Sequence, residues 1–112
     1  ESGLKQIVSN ANALGADIVK IATLAKNESD VVRLLQFTMA HRQKNLVTIA
    51  MGNIGSISRL LFPLAGSLMT YTSVAPSDGQ IPAKRLIEDL RCYYPRYHEA
   101  LINRTRLALR DP

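Results

Sequence analysis

The spacing of apolar residues changes along the chain from helical to strand-like and back. Leu4, Ile7, Val8, Ala11 and Leu14 recur at helical spacing, with Lys5, Gln6, Ser9 and Asn10 on the opposite face. Ser2 stands where an N-cap belongs and Gly15 where the helix should stop. The run from Ile18 to Leu24 is apolar and partly β-branched, bounded by Gly15-Ala16-Asp17 and by Lys26-Asn27. It predicts a short strand buried on both faces, as in parallel sheets. Asn27, Ser29 and Asp30 offer capping side chains for a second helix. Its apolar stripe is Val31, Leu34, Leu35, Thr38 and Met39, with Arg33, Gln36 and Arg42 turned away.

Leu46 to Met51 predicts a second apolar strand. The turn Gly52-Asn53-Ile54-Gly55 then opens a third helix around Ser58 to Leu64, and Ser67 to Thr72 predicts a third strand. After the turn-rich Ala75-Pro76-Ser77-Asp78-Gly79, a helix is expected from Pro82, a favourable first-turn residue, to Tyr94. Pro95 interrupts it, and a basic helix is expected from Arg96 to Leu109. The order is α-β-α-β-α-β-α-α. Such alternation implies right-handed βαβ units on a parallel sheet. These sheets gather functional residues at the C-terminal strand ends and in the loops that follow. Lys20, the Gly52–Gly55 turn and the Ser77–Gln80 turn should therefore converge on one rim.

Composition adds limits. With 46% hydrophobic and 21% charged residues among 112, a packed core is expected, filled by aliphatic side chains because only 5% are aromatic. The net charge is +5, and half of the 14 basic residues lie from Lys84 onward, so the basic character belongs to the C-terminal segment. Cys92 stands alone, which excludes an internal disulfide or a cysteine-based zinc site and suits a reducing compartment. The longest uncharged run, Leu60 to Ser77, is broken by Pro63 and Gly66 and is too short and polar for a membrane helix. No secretory signal opens the sequence. A soluble, cytoplasmic protein is expected.

Lys20 is the residue with the sharpest chemical reading. Burying an ammonium group disfavours its charged form, which is how an amine becomes nucleophilic enough to form a Schiff base. The plainer alternative has Lys20 snorkelling from the strand end or pairing with Asp17. The Gly52–Gly55 turn, with a helix N-terminus behind it, could receive an anion on its backbone amides. Arg59, just inside that helix, could reach a carboxylate with its bidentate fork, or lie on the surface. Gln80 could hydrogen-bond a polyhydroxylated ligand or merely satisfy its loop. His41 and His98 read as surface residues away from the rim. No metalloprotease, P-loop or dinucleotide fingerprint is present.

Three stretches together resemble type I 3-dehydroquinate dehydratase, the Schiff-base enzyme of the shikimate pathway of aromatic amino acid biosynthesis. They are Gly15 to Ala22 around Lys20, Met51-Gly52 through Ser58-Arg59, and Gly79-Gln80-Ile81. The resemblance covers residues 4 to 90. It implies a (β/α)8 TIM barrel, of which this chain supplies about the last three strands. Residues 1 to 92 would belong to the barrel and 93 to 112 would form a basic helical extension. It further implies that Lys20 attacks the ketone of 3-dehydroquinate and that Arg59 clamps its carboxylate. Gln80 would bind its oxygens, Met51 and Tyr71 would line the pocket, and Ser77 would take the place of a substrate-binding serine. The catalytic histidine of the family lies on an earlier strand, and neither His41 nor His98 matches its position.

No cofactor or metal is implied. The expected partners are the substrate and either the remaining N-terminal part of the barrel or a second copy of the chain in a homo-oligomer. The family usually shows Ser-Ala-Pro-Gly-Gln where this chain has Ala75-Pro76-Ser77-Asp78-Gly79-Gln80, with an added negative charge at Asp78. Two other readings remain. One is a non-enzymatic module binding protein or nucleic acid through Arg96 to Arg110. The other is a different lysine-dependent lyase or aldolase.

Overall fold

A computed structural model describes residues 2–76 and 79–93. The elements run α1 (Ser2–Ala13), β1 (Val19–Leu24), α2 (Glu28–Ala40), β2 (Leu46–Met51), a 3-10 turn (Ile54–Ile57), α3 (Ser58–Ala65) and α4 (Ala83–Tyr93). The predicted C-terminal helix, His98, Ser77 and Asp78 fall outside the described residues. β1 and β2 pair in parallel, Val19 opposite Leu46 through Leu24 opposite Met51. With α2 crossing between them they form the expected βαβ unit.

Local chemistry explains where these elements start. Asn27 caps α2 by accepting the Asp30 N–H at 3.0 Å, and the Asp30 carboxylate accepts the Lys26 N–H at 2.8 Å. Val31, Leu34, Phe37 and Thr38 form the buried face of α2. Phe37 thus joins the core and Met39 lies exposed, a small rotation from the predicted stripe. In α1 the inward face is Val8, with Leu4 and Ala11 packed against the core, while Ile7 and Leu14 are exposed. Ser2 is the first residue of α1. The core lies between one face of the sheet and the helices, with Phe62, Leu46, Phe37 and Leu34 at its centre.

The two strands differ in burial. In β2 the five residues Leu46 to Ala50 are buried on both faces. In β1 only Val19 and Ile21 are buried among the described residues, so the prediction of a strand covered on both sides fails there, while β2, read only as an apolar strand, is the one buried on both faces. Parallel pairing turns Lys20, Ala22 and Leu24 to the same face as Val47, Ile49 and Met51. On that face Lys20 and Leu24 are exposed, because the edge strand has no layer over it among the described residues.

The predicted third strand, Ser67 to Thr72, is not a strand: the sheet has two. The reason lies in serine hydroxyls. On the edge of β2 away from β1, Leu46 O accepts the Leu68 N–H at 2.8 Å. The next two donors on that edge are taken by side chains. Thr48 N–H donates to Ser67 Oγ at 3.0 Å, and Ala50 N–H donates to Ser58 Oγ at 3.0 Å. The chain after Ser67 runs alongside β2 without forming a backbone ladder. A hydroxyl chain also ties α2 to the sheet. Thr38 Oγ1 donates to Leu34 O at 2.7 Å, so the Thr48 hydroxyl, 2.6 Å away, must be the donor to Thr38.

Ser58→Ala and Ser67→Ala should each lower stability by about 1–3 kcal/mol, the cost of a buried N–H left without a partner. Urea denaturation should show a lower midpoint at unchanged slope. Midpoints equal to that of the natural chain would mean these hydroxyls do not close the β2 edge.

Candidate active site

β1 carries Lys20 on its open face. The side chain is exposed, as the plainer of its two sequence readings had it, and among the described residues one ring lies against its head: Lys20 Nζ sits 4.4 Å from the centroid of Tyr71. An ammonium over the face of a phenol ring is attracted by the ring quadrupole.

Arg59, read from sequence as either a surface residue or a ligand clamp, is 8% exposed and so buried. Its Nη1 donates to Tyr71 O at 3.4 Å, while its Nε is buried with no hydrogen-bond partner among the described residues. No carboxylate forms an ion pair with it there either. A buried cationic fork with an unused donor is costly, since an unsatisfied polar group keeps its desolvation penalty. Tyr71 therefore touches both cations, Lys20 through its ring and Arg59 through its carbonyl.

Other site residues converge from the loops. Gly55 lets the chain pass directly over β2: a Cβ there would lie 2.2 Å from Ala50 O. Gly79, at φ +79°, packs against Gly52, and a Cβ there would meet Gly52 O at 2.7 Å. The turn ahead of Gln80 is thus pressed onto the turn after β2, as the convergence argument required. Met51, at the end of β2, and Tyr71 are both 39% exposed on this open side. Gln80 is half-buried beside Gly79, and Ser77 lies outside the described residues.

Two amides of the Gly52–Gly55 turn and its helix are already used locally. Gly55 N–H donates to Gly52 O and Ser56 N–H to Asn53 O, so those amides are spent inside the 3-10 turn. His41 follows α2 at the opposite end of the sheet, half-buried. It stacks on Phe37 with ring centroids 4.2 Å apart, and its Nδ1 lies 2.8 Å from Phe37 O. A recess of about 380 Å³ opens between α1 and α2, lined by Leu4, Thr23, Lys26 and Arg33 among others, but includes neither Lys20 nor Arg59. No three His, Cys, Asp or Glu side chains among the described residues stand close enough to hold a metal ion. None of the described helices is long and apolar enough to cross a membrane.

Comparison with known proteins decides the family. Residues 1–96 match the family model of type I 3-dehydroquinase. The chain belongs to the type I 3-dehydroquinase family. It is 40% identical over 88 residues to the 3-dehydroquinate dehydratase of Methanococcoides burtonii, covering 79% of this chain and 36% of that protein. It is 42% identical over 89 residues to the enzyme of Methanocella arvoryzae, covering 76% and 39%.

Solved structures agree. The 3-dehydroquinate dehydratase of Geobacillus kaustophilus superposes with a TM-score of 0.74 at 36% identity, covering 83% of this chain and 39% of that one. The type I enzyme of Clostridium difficile, solved with covalently modified comenic acid, gives 0.71 at 33%, covering 86% and 39%. The chain thus spans about two fifths of the length of its relatives. The described residues form an α/β unit of two parallel strands and four helices that matches part of type I 3-dehydroquinase structures.

In this 3-dehydroquinase unit, the unused Nε makes Arg59 a cost that the fold carries. Arg59→Met, which keeps the stem and removes the fork, should leave stability within about 1 kcal/mol of the natural chain or raise it. Thermal melts of the two proteins provide the check, and a loss of several kcal/mol would show that Arg59 is a structural anchor.

Proposed function

We propose that this chain supplies the imine-forming and carboxylate-binding side of a 3-dehydroquinate dehydratase, which converts 3-dehydroquinate to 3-dehydroshikimate and water. The observation that carries the reading is the meeting of Lys20 and Arg59 on Tyr71. Through its ring and its carbonyl, Tyr71 links an exposed amine and a buried, under-used guanidinium, the two groups that a keto acid requires. That the Clostridium difficile relative was solved with covalently modified comenic acid supports covalent chemistry in this family.

In the proposed reaction Lys20 Nζ adds to the ketone carbon and the carbonyl oxygen leaves as water. The protonated imine then draws electrons from the adjacent carbon, which loses its proton to a base. The hydroxyl leaves as a second water, and hydrolysis of the imine consumes one water and frees the lysine. Net loss is one water. Arg59 would hold the substrate carboxylate through its bidentate fork, giving Nε the partner it lacks. Met51 and Tyr71 would wall the site, with Gln80 and Ser77 binding substrate oxygens. The base is the histidine that the family places on an earlier strand. His41, spent on Phe37 at the far end of the sheet, is not a candidate.

Residues 1–92 would then stand for the closing βα units of an eight-stranded barrel, with Ser67–Thr72 in the place of its last strand. Residues 93–112 would be an extension. Leu24 and Met51, both exposed, share the face of Lys20, exposed Ile18 lies two residues before it, and β1 has a free edge among the described residues. Exposed strand edges and apolar faces are templates for further pairing. The partner is the earlier part of such a barrel or a second copy of this chain.

The chemical test is borohydride reduction in the presence of 3-dehydroquinate, followed by intact-mass measurement. The natural chain, alone or mixed with the upstream part of the Geobacillus kaustophilus enzyme, should gain one covalent adduct, and Lys20→Ala should gain none. An adduct on both, or on neither in the mixture, would defeat the proposal. Sedimentation velocity should show self-association that the upstream part replaces with a one-to-one complex. A monomer that stays monomeric in the mixture would count against the missing-partner reading.

A further inference from the structure

We propose that Tyr71 is a positioning residue for the Lys20 amine and that a hydroxyl latch from Thr70 to α3 holds it there. The inference rests on the imine reading above and adds how the nucleophile is aimed.

The latch begins with a proline. Pro63 lies inside α3 and has no N–H, so the carbonyl of Arg59, four residues earlier, has no helical donor. Thr70 fills that vacancy: its Oγ1 donates to Arg59 O at 2.5 Å. Two residues on, the Thr72 hydroxyl donates to Ile81 O, tying the other side of Tyr71 to the segment that enters α4. The bridge between Ser73 and Pro82 and the bond from Ala83 N–H to Ser73 O extend that tie. A stretch with no strand ladder of its own is thereby fixed at both ends around one residue.

That residue is aimed at the lysine. Lys20 is a flexible side chain at an exposed position, and holding it costs rotamer freedom unless something attracts its head. Among the described residues no acid forms an ion pair with Lys20. The ring of Tyr71 meets the ammonium at 4.4 Å, and Arg59 reaches the carbonyl of the same residue. The ring presents a π face and no competing charge, so the ammonium is held without being locked into a salt bridge. Being exposed, it can give a proton to water and leave the ring as the free amine for a carbonyl carbon.

Two measurements on the full chain test this. The five lysines can be reductively methylated with carbon-13 formaldehyde, and the Lys20 methyl signal assigned by its loss in Lys20→Arg. In the natural chain that signal should be shifted upfield by the Tyr71 ring current, apart from the other four. Tyr71→Phe and Thr70→Ser should keep the shift. Tyr71→Leu should abolish it, and Thr70→Val should weaken it even though the ring is still present.

Borohydride trapping with 3-dehydroquinate, with the upstream part of the Geobacillus kaustophilus enzyme present, gives the functional readout. Tyr71→Leu should trap about two- to fivefold more slowly, the scale of one exposed cation–π contact, with Tyr71→Phe restoring the rate. A Lys20 signal that coincides with those of the other lysines, or equal trapping in Tyr71→Leu, would overturn the positioning role alone. A shifted signal with no adduct on any variant would overturn the imine reading and the role with it.

Discussion

The outer edge of β2 is the constraint on which the rest of this structure depends. β2 is buried on both faces, so every backbone group along it must find a partner away from water. One edge is satisfied by β1. On the other, Ser58 and Ser67 supply oxygens to Ala50 and Thr48, and Leu68 supplies an amide to Leu46. Because Ser58 opens α3 and Ser67 follows it, closing this edge fixes both ends of the helix against the strand. Arg59 is the next residue after Ser58. Its burial follows from where the serine is held.

The same arrangement explains why the chain beyond Ser67 is extended without being a strand. A regular parallel neighbour would donate and accept along the whole edge, but two of the positions are taken by hydroxyls. What replaces the ladder is a series of single side-chain bonds from Ser67, Thr70, Thr72 and Ser73. Each hydroxyl fixes one point. Together they set the path that carries Tyr71 to Lys20 and presses Gly79 onto Gly52.

Much of this was legible in the residues. The alternation of helix and strand periods gave the βαβ unit, and Asn27 could be read as a cap from its place before an apolar run. Lys20 and Arg59 could be singled out by their positions at strand and helix starts, and the glycines of the Gly52–Gly55 turn by their pairing. Three things could not be read. The apolar run at Ser67–Thr72 satisfies a strand pattern, and pattern alone does not reveal that serine hydroxyls will occupy the edge it would pair with. The exposure of Lys20 depends on what lies over β1, a tertiary property that the local run Val19 to Leu24 does not encode. Tyr71 entered from sequence only through the family resemblance. The signal that could have marked its setting was Pro63, which frees a carbonyl, with a threonine seven residues later able to claim it.

Arg59 and Lys20 also show how the unit divides stability from chemistry. Hydroxyl bonds, the Thr38–Thr48 pair and the Phe62–Leu46 core hold the fold without either cation. Arg59 is a liability to that fold, a buried charge with an idle donor, and Lys20 is an exposed chain held by one ring. A structure selected for stability alone would place an apolar side chain at position 59 and leave position 20 free to be anything. Under the proposed function both residues make sense: a substrate carboxylate would satisfy the guanidinium, and the ketone would give the amine a bond stronger than the ring contact it gives up. On that account the cost carried at Arg59 is released only when ligand arrives. Binding energy at the carboxylate is then available to hold the ketone against Lys20.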